Sequence, residues 1–158
     1  DNFDKINQKK LDQSKVIVFS PGPGSPKDYP MSSKIYKKYK GKKKIIGICL
    51  GFQQILYSEK GKIIEQKKIY HGYQSKVRVI SNYSLFKKNR IFKVGRYHSL
   101  KLKEPFYSKN FEITMRCAIS NVAMAIENNK DKIYGFQFHP ESFLTENGNL
   151  LIKKILSI

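Results

Sequence analysis

A chain of 158 residues with 40% hydrophobic side chains is long and apolar enough for one domain, 1–158, with its own core. Its apolar runs fall short of the roughly 20 residues that cross a membrane, and its opening DNFDKINQKK has no leader-like apolar core, so the expectation is a cytoplasmic protein with no membrane partner. The formal net charge of +19 suggests a polyanion partner, but only Arg78, Arg90, Arg96 and Arg116 carry the planar fork that nucleic-acid readers favour. The remainder is lysine, mixed with isoleucine and asparagine and without tryptophan. This is the signature of an AT-biased codon supply filling solvated positions, so a specific nucleic-acid partner is not expected. Two cysteines, Cys49 and Cys117, are too few for a disulfide framework and suit a reducing setting.

In chain order, Lys15–Phe19 is a β-branched run broken by SPGPGSP, which predicts a buried strand ending in a stiff loop. Ser32–Lys40 predicts a basic helix, Lys44–Ile48 a strand, and Phe52–Lys60 a helix that Gly61 would close in the left-handed conformation. Strand signals follow at Val77–Ile80, at Phe111–Met115 paired with Val122–Glu127, and at Ile133–Phe138, and a helix is expected over Asn149–Leu156. Strands alternating with helices predict an α/β fold with a β-rich insertion in the second half.

Three loops, each after a strand, carry the chemistry. In GICLG, from Gly47 to Gly51, a cysteine sits between two glycines where a strand hands over to a helix. That is the pattern of a nucleophile elbow, which lifts Cys49 above the sheet at a helix N-terminus and aims the Leu50 N–H at a developing oxyanion. A buried structural cysteine is the competing reading. A base is available in His139 of QFHPES, with Glu141 two residues on to hold the imidazole in one tautomer. In SPGPGSP, Gly22 and Gly24 can bring bare backbone to a ligand while Pro21, Pro23 and Pro26 stiffen the loop. Sites in open α/β sheets lie beyond the carboxyl ends of strands, where all three loops are expected.

These motifs, with HG at His71, GRYHSL at Gly95 and GFQFHPESFLTENG at Gly135, run in order along the chain, and the sequence resembles the class I (triad) glutamine amidotransferases. RYHSL together with QFHPES narrows the resemblance to the chorismate-utilising branch, which serves anthranilate or p-aminobenzoate synthesis. The resemblance implies a three-layer αβα sandwich with a largely parallel, flavodoxin-like central sheet. It implies hydrolysis of L-glutamine through a cysteinyl thioester, without cofactor or metal, and delivery of ammonia to a chorismate-converting partner subunit. Cys49 would attack the side-chain amide, and His139 and Glu141 would complete the triad. Gly22, Pro23, Gly24, Gln53, Ser99 and Leu100 would hold the glutamine and the oxyanion, the last three on the resemblance alone. His98 would be scaffold, His71 a loop or partner-facing residue, and Cys117 is left without a role.

The chain departs from the family pattern in two places. Phe52 stands where the family commonly has histidine; the position supports the elbow, so activity is expected to be retained. DNFD, which in the family ends a first strand, is followed within a short polar stretch by Lys15, so the N-terminal part is expected to be shortened or incomplete, with a break between Asp4 and Lys5. A binding subunit that keeps the partner interface without turnover is the reading such a loss would favour.

Overall fold

The computed structural model describes residues 6–158. The expected break between Asp4 and Lys5 lies outside the described residues.

Seven strands form one sheet in the order β1 (Val16–Phe19), β2 (Lys44–Ile48), β9 (Ile133–Phe136), β8 (Ala123–Asn128), β7 (Glu112–Cys117), β4 (Tyr73–Val79), β5 (Ile91–Arg96). β1, β2 and β9 run parallel, with Ile17 level with Ile45 and Ile48 level with Phe136. From β9 to β5 every pairing is antiparallel, which is the β-rich second half. The parallel part is therefore the three strands whose carboxyl ends lead into SPGPG, GICLG and QFHPES. β3 (Ile63–Glu65) and β6 (Leu100–Leu102) form a separate antiparallel pair. β1 is one edge of the large sheet, and its Val18 side chain is 53% exposed.

Side chains alternate across the parallel strands, as the two-residue strand period requires. Ile17, Phe19, Ile45 and Ile133 face α2 (Pro30–Tyr39) and α3 (Leu50–Ser58), where they pack on Ile35, Tyr36, Phe52, Ile55 and Leu56. Ile46, Tyr134 and Phe136 face the opposite way, onto Leu151 and Ile155 of α4 (Gly148–Leu156). Leu151 and Ile155 are one helical turn apart, and both are buried. Burying each stabilises the layer by about 1.5–3 kcal/mol. The three layers predicted above are thus present. Among the described residues, no helix is long and apolar enough to cross a membrane.

Local chemistry accounts for two differences from the sequence reading. The polar stretch after Asp4 holds a short helix, α1 (Gln8–Gln13), capped by the Asn7 side chain accepting from the Lys10 N–H at 3.0 Å. Its Ile6 and Leu11 side of the chain leans on the core, a contact too sparse to show as a periodic pattern. At the end of α3, Lys60 takes the left-handed conformation in place of Gly61, with φ 67°. The Gly61 N–H then reaches back to the Leu56 carbonyl at 2.8 Å and Lys60 N–H to Tyr57 at 3.0 Å, a Schellman closure. Glycine is needed at 61 for space: a Cβ there would lie 2.8 Å from the Leu56 oxygen.

The lysines are less evenly spread than composition suggests. Lys15, Lys42, Lys43, Lys44, Lys130 and Lys132 line one cavity of about 630 Å³ at the amino ends of β1, β2 and β9. Two of them are committed to backbone: Lys43 Nζ to the carbonyls of Asp12 and Ser14, and Lys44 Nζ to those of Ile155, Leu156 and Ile158. No aromatic side chain lines this cavity, so it lacks the stacking platform of a single-strand nucleic-acid groove.

Candidate active site

The elbow is built by close approach. β2 ends at Ile48 and α3 begins at Leu50, leaving Cys49 alone to turn the chain, with φ 53° and ψ −101°. An L-residue in that region is strained by about 1–3 kcal/mol. The flanking glycines let the turn close. A Cβ on Gly47 would lie 2.5 Å from the Gly51 carbonyl oxygen, and one on Gly51 would lie 2.0 Å from the Phe19 carbonyl oxygen. The helix therefore starts pressed against the strand end behind it and against β1, which ends at SPGPG.

Cys49 is 7% exposed. Burial pushes its thiol up to about 11 and the Glu141 carboxylate adds to this, while hydrogen bonds from the Leu50 backbone N–H and the Gln137 side chain pull the other way. The resting group is the thiol, which needs a base at the moment of attack.

A cavity of about 170 Å³ opens in front of the sulfur, lined by Gly22, Pro23, Gly24, Cys49, Leu50, Gln53, Tyr97, His98, Ser99 and Leu100. All seven residues expected to bind substrate are in that lining together with the expected nucleophile. The volume is below the roughly 300 Å³ of a pocket for a drug-sized molecule and suits a small metabolite.

His139 and Glu141 reach the same end of the sheet by strand register. Cys49 N–H donates to the Phe136 carbonyl at 2.8 Å, and His139 N–H donates to the Gly95 carbonyl at 3.0 Å. His139 Nδ1 lies 2.7 Å from Glu141 Oε1, so the imidazole donates to the carboxylate through that nitrogen. Nε2 is buried and has no hydrogen-bond partner among the described residues, which leaves a lone pair available to take a proton. The ring stacks edge-on against Tyr97 of the cavity wall, centroids 4.9 Å apart.

Several supporting residues went unassigned in the sequence reading. Thr145 ties the histidine loop to β5: its hydroxyl accepts from the Gly95 N–H at 2.9 Å and donates to the His139 carbonyl at 2.5 Å. Tyr97 packs on the base and shares a hydrogen bond with Ser142 at 3.0 Å. Gln137, fully buried, reaches the Cys49 sulfur. Thr145 and Gln137 both lie inside the QFHPES-to-TENG stretch, which was the available signal. Phe52 is buried in the α2–α3 side of the core and leans on β9 at Gly135, where a Cβ would come within 3.0 Å of its ring. It supports the elbow from behind and takes no part in the cavity lining.

His98 is scaffold, as expected. It is 4% exposed and bonded between the Arg96 Nε at 3.0 Å and the Leu100 carbonyl at 2.8 Å. Burial, then the Arg96 charge, pull it down to about 4, so it is neutral at pH 7. An unfolded histidine titrates near 6.5. Between these values the unfolded chain binds the proton that the folded chain refuses. Stability is therefore complete above about pH 6.5 and falls towards pH 4, by at most about 1.4 kcal/mol per pH unit from this group. Denaturant midpoints at pH 7 and pH 5 should show the loss, and His98→Gln should flatten it; the same slope with and without His98 would rule the assignment out. His71, by contrast, is exposed beside Tyr97, with ring centroids 6.1 Å apart.

The sequence matches the family described as "Glutamine amidotransferase class-I" over residues 1–157. It is 38% identical over 159 residues to anthranilate synthase component 2 of Lactococcus lactis, covering 99% of this chain and 79% of that protein. It is 36% identical to anthranilate synthase component 2 of Buchnera aphidicola from Schizaphis graminum, covering 96% of this chain and 76% of that one. The crystal structure of a glutamine amidotransferase from Thermotoga maritima has the same fold, with a TM-score of 0.69 at 18% identity over 87% of this chain and 61% of that chain. With the family match running almost from end to end, and with the elbow and its small cavity beyond the carboxyl end of β2 and the imidazole–carboxylate pair beyond that of β9, the chain belongs to the class-I glutamine amidotransferases.

Proposed function

We propose that this chain is a single-domain glutaminase subunit that hydrolyses L-glutamine and passes the ammonia to a chorismate-converting partner subunit, for the synthesis of anthranilate. The observation that carries the reading is the cavity that brings Cys49 together with Gly22, Pro23, Gly24, Leu50, Gln53, Ser99 and Leu100. The names of the relatives favour anthranilate as the product.

In this reading the amide carbon of glutamine sits above Cys49 Sγ. His139 Nε2 takes the thiol proton as sulfur attacks, and Glu141, bonded to Nδ1, stabilises the imidazolium. The oxyanion of the tetrahedral intermediate is met by the Leu50 N–H at the start of α3 and by backbone of the Gly22–Gly24 loop. The intermediate collapses by breaking the C–N bond. His139 returns its proton to the departing nitrogen, so ammonia leaves and a glutamyl thioester remains on Cys49. Water, deprotonated by His139, then attacks the thioester, and glutamate and the thiol are restored. The Cys49 thiol, pushed up to about 11 by burial, remains neutral until substrate arrives, which limits adventitious alkylation and oxidation. Catalysis here needs neither metal nor organic cofactor, because the nucleophile, base and oxyanion donors are all supplied by the chain.

The test is reconstitution with the chorismate-converting subunit of the same cell, with the aromatic product identified after feeding chorismate and glutamine. Anthranilate supports the reading. p-Aminobenzoate would move the chain to the folate branch. A stable complex that makes product from ammonia and never from glutamine would mean that the chain binds its partner without turnover.

A further inference from the structure

Behind the cavity a line of buried polar groups runs from Arg96 to the nucleophile, and donor and acceptor chemistry fixes its direction at every link. The Leu100 carbonyl can only accept. Two side chains reach it: His98 Nδ1 at 2.8 Å and Gln53 Nε2 at 3.4 Å. Arg96 Nε can only donate, and it lies 3.0 Å from His98 Nε2. The imidazole therefore carries its hydrogen on Nδ1 and donates to Leu100, while the Gln66 amide nitrogen, 3.1 Å from Nδ1, donates to the His98 carbonyl at 2.6 Å. Gln53 must likewise turn its amide nitrogen towards that carbonyl, since the flipped amide would set oxygen against oxygen. The same nitrogen lies 3.1 Å from Gln137 Oε1, so Gln137 accepts there and its own nitrogen faces the other way, 3.8 Å from Cys49 Sγ. Gln137 is fully buried, so no bulk water is available to satisfy the opposite orientation of its amide, and Gln53, 2% exposed, is oriented by the Leu100 carbonyl and Gln137 Oε1.

We propose that Gln137 is a catalytic residue of this site, donating its side-chain N–H to the Cys49 sulfur, and that Gln53 acts as the positioning residue that keeps that N–H aimed. The inference rests on Cys49 being the nucleophile, as read above. An N–H donated to sulfur is weak when sulfur is a neutral thiol and about twice as strong when it is charged. The bond therefore strengthens as the proton moves to His139, and it offsets part of the burial cost and of the Glu141 repulsion that disfavour the thiolate. An apolar side chain of equal length would fill the space equally well and supply none of this. The amide is thus doing more than packing. Gln53 also lines the cavity, so a substrate that engages the Gln53 amide acts on the group that orients Gln137.

The experiment measures the rate at which iodoacetamide alkylates Cys49 at pH 8, resolved from Cys117 by peptide mass spectrometry, beside glutaminase kcat and KM of the complex. Gln137→Met should slow alkylation about tenfold, the equivalent of one pKa unit, and lower kcat by a similar factor with little change in KM. A looser site would do the opposite, because easier access speeds alkylation. Gln137→Glu keeps the side-chain shape and replaces the donor by a negative acceptor, so it should slow alkylation further; it decides the matter if the methionine variant does not fold. Gln53→Met should give an intermediate loss of alkylation rate. Alkylation within twofold of the unsubstituted protein in Gln137→Glu would overturn the proposal. Glutaminase activity surviving Cys49→Ala would instead overturn the reading beneath it, so the two failures are distinguishable.

Discussion

Cys49→Ala should reduce glutamine-dependent ammonia release by more than about 10³-fold, as loss of a covalent nucleophile does in comparable triads. It should leave the partner's reaction with free ammonia intact. The split is the informative part, because a folding defect or a lost interface would lower both. The substitution should not unfold the protein. It removes one sulfur from a position that is already strained, φ 53°, and an alanine there has the same Cβ to accommodate. Thermal unfolding should therefore stay within a few degrees of the unsubstituted protein, measured in parallel. Glutamine-dependent activity within tenfold of normal would remove Cys49 from the mechanism and with it the roles given to His139 and Glu141.

Gly51→Ala should destabilise the fold by about 3 kcal/mol or more, although helix propensity alone predicts the reverse. Within α3, alanine is favoured over glycine by about 1 kcal/mol. Against that stands the space: a Cβ at 51 would lie 2.0 Å from the Phe19 carbonyl oxygen, a backbone atom at the end of β1. It can be relieved only by moving the helix off the strand, and overpacking of a rigid site costs about 1–3 kcal/mol, occasionally more. The displacement would fall on the joint between GICLG and SPGPG, so surviving protein should also lose glutaminase activity through misplaced oxyanion donors. Denaturant unfolding and kcat measured together check both parts. A Gly51→Ala protein as stable and as active as the original would show that the close approach is not required.

Much of the site was legible before the fold was known, because its chemistry is written in short local patterns. A cysteine between two glycines after a β-branched run, a histidine with a glutamate two residues on, and a loop of alternating glycine and proline each carry their meaning within a few residues. The helices α3 and α4, with their apolar faces, were legible for the same reason, as was the antiparallel β7–β8 pair, while α2 showed only as a basic, weakly helical stretch. α1 was not, because only Ile6 and Leu11 mark its apolar side. Nor was the closure of α3, where Lys60 takes the left-handed conformation and Gly61 is kept for space.

By itself, then, the sequence carried the elbow pattern and the resemblance to the family, and from these it proposed a nucleophile, a base and a set of substrate-cavity residues. The tertiary structure alone decided what those residues face. The parallel register of β2 with β9 brings residues far apart in the chain, Cys49 and His139, to the carboxyl end of neighbouring strands. Thr145 ties the histidine loop to β5, and Gln137 reaches the sulfur, through contacts between segments that share no local pattern. The convergence of six lysines at the opposite end of the sheet has the same origin. A hydrogen bond between distant segments depends on strand order and register, which local periodicity does not encode, whereas a turn or an elbow depends on the few residues that make it.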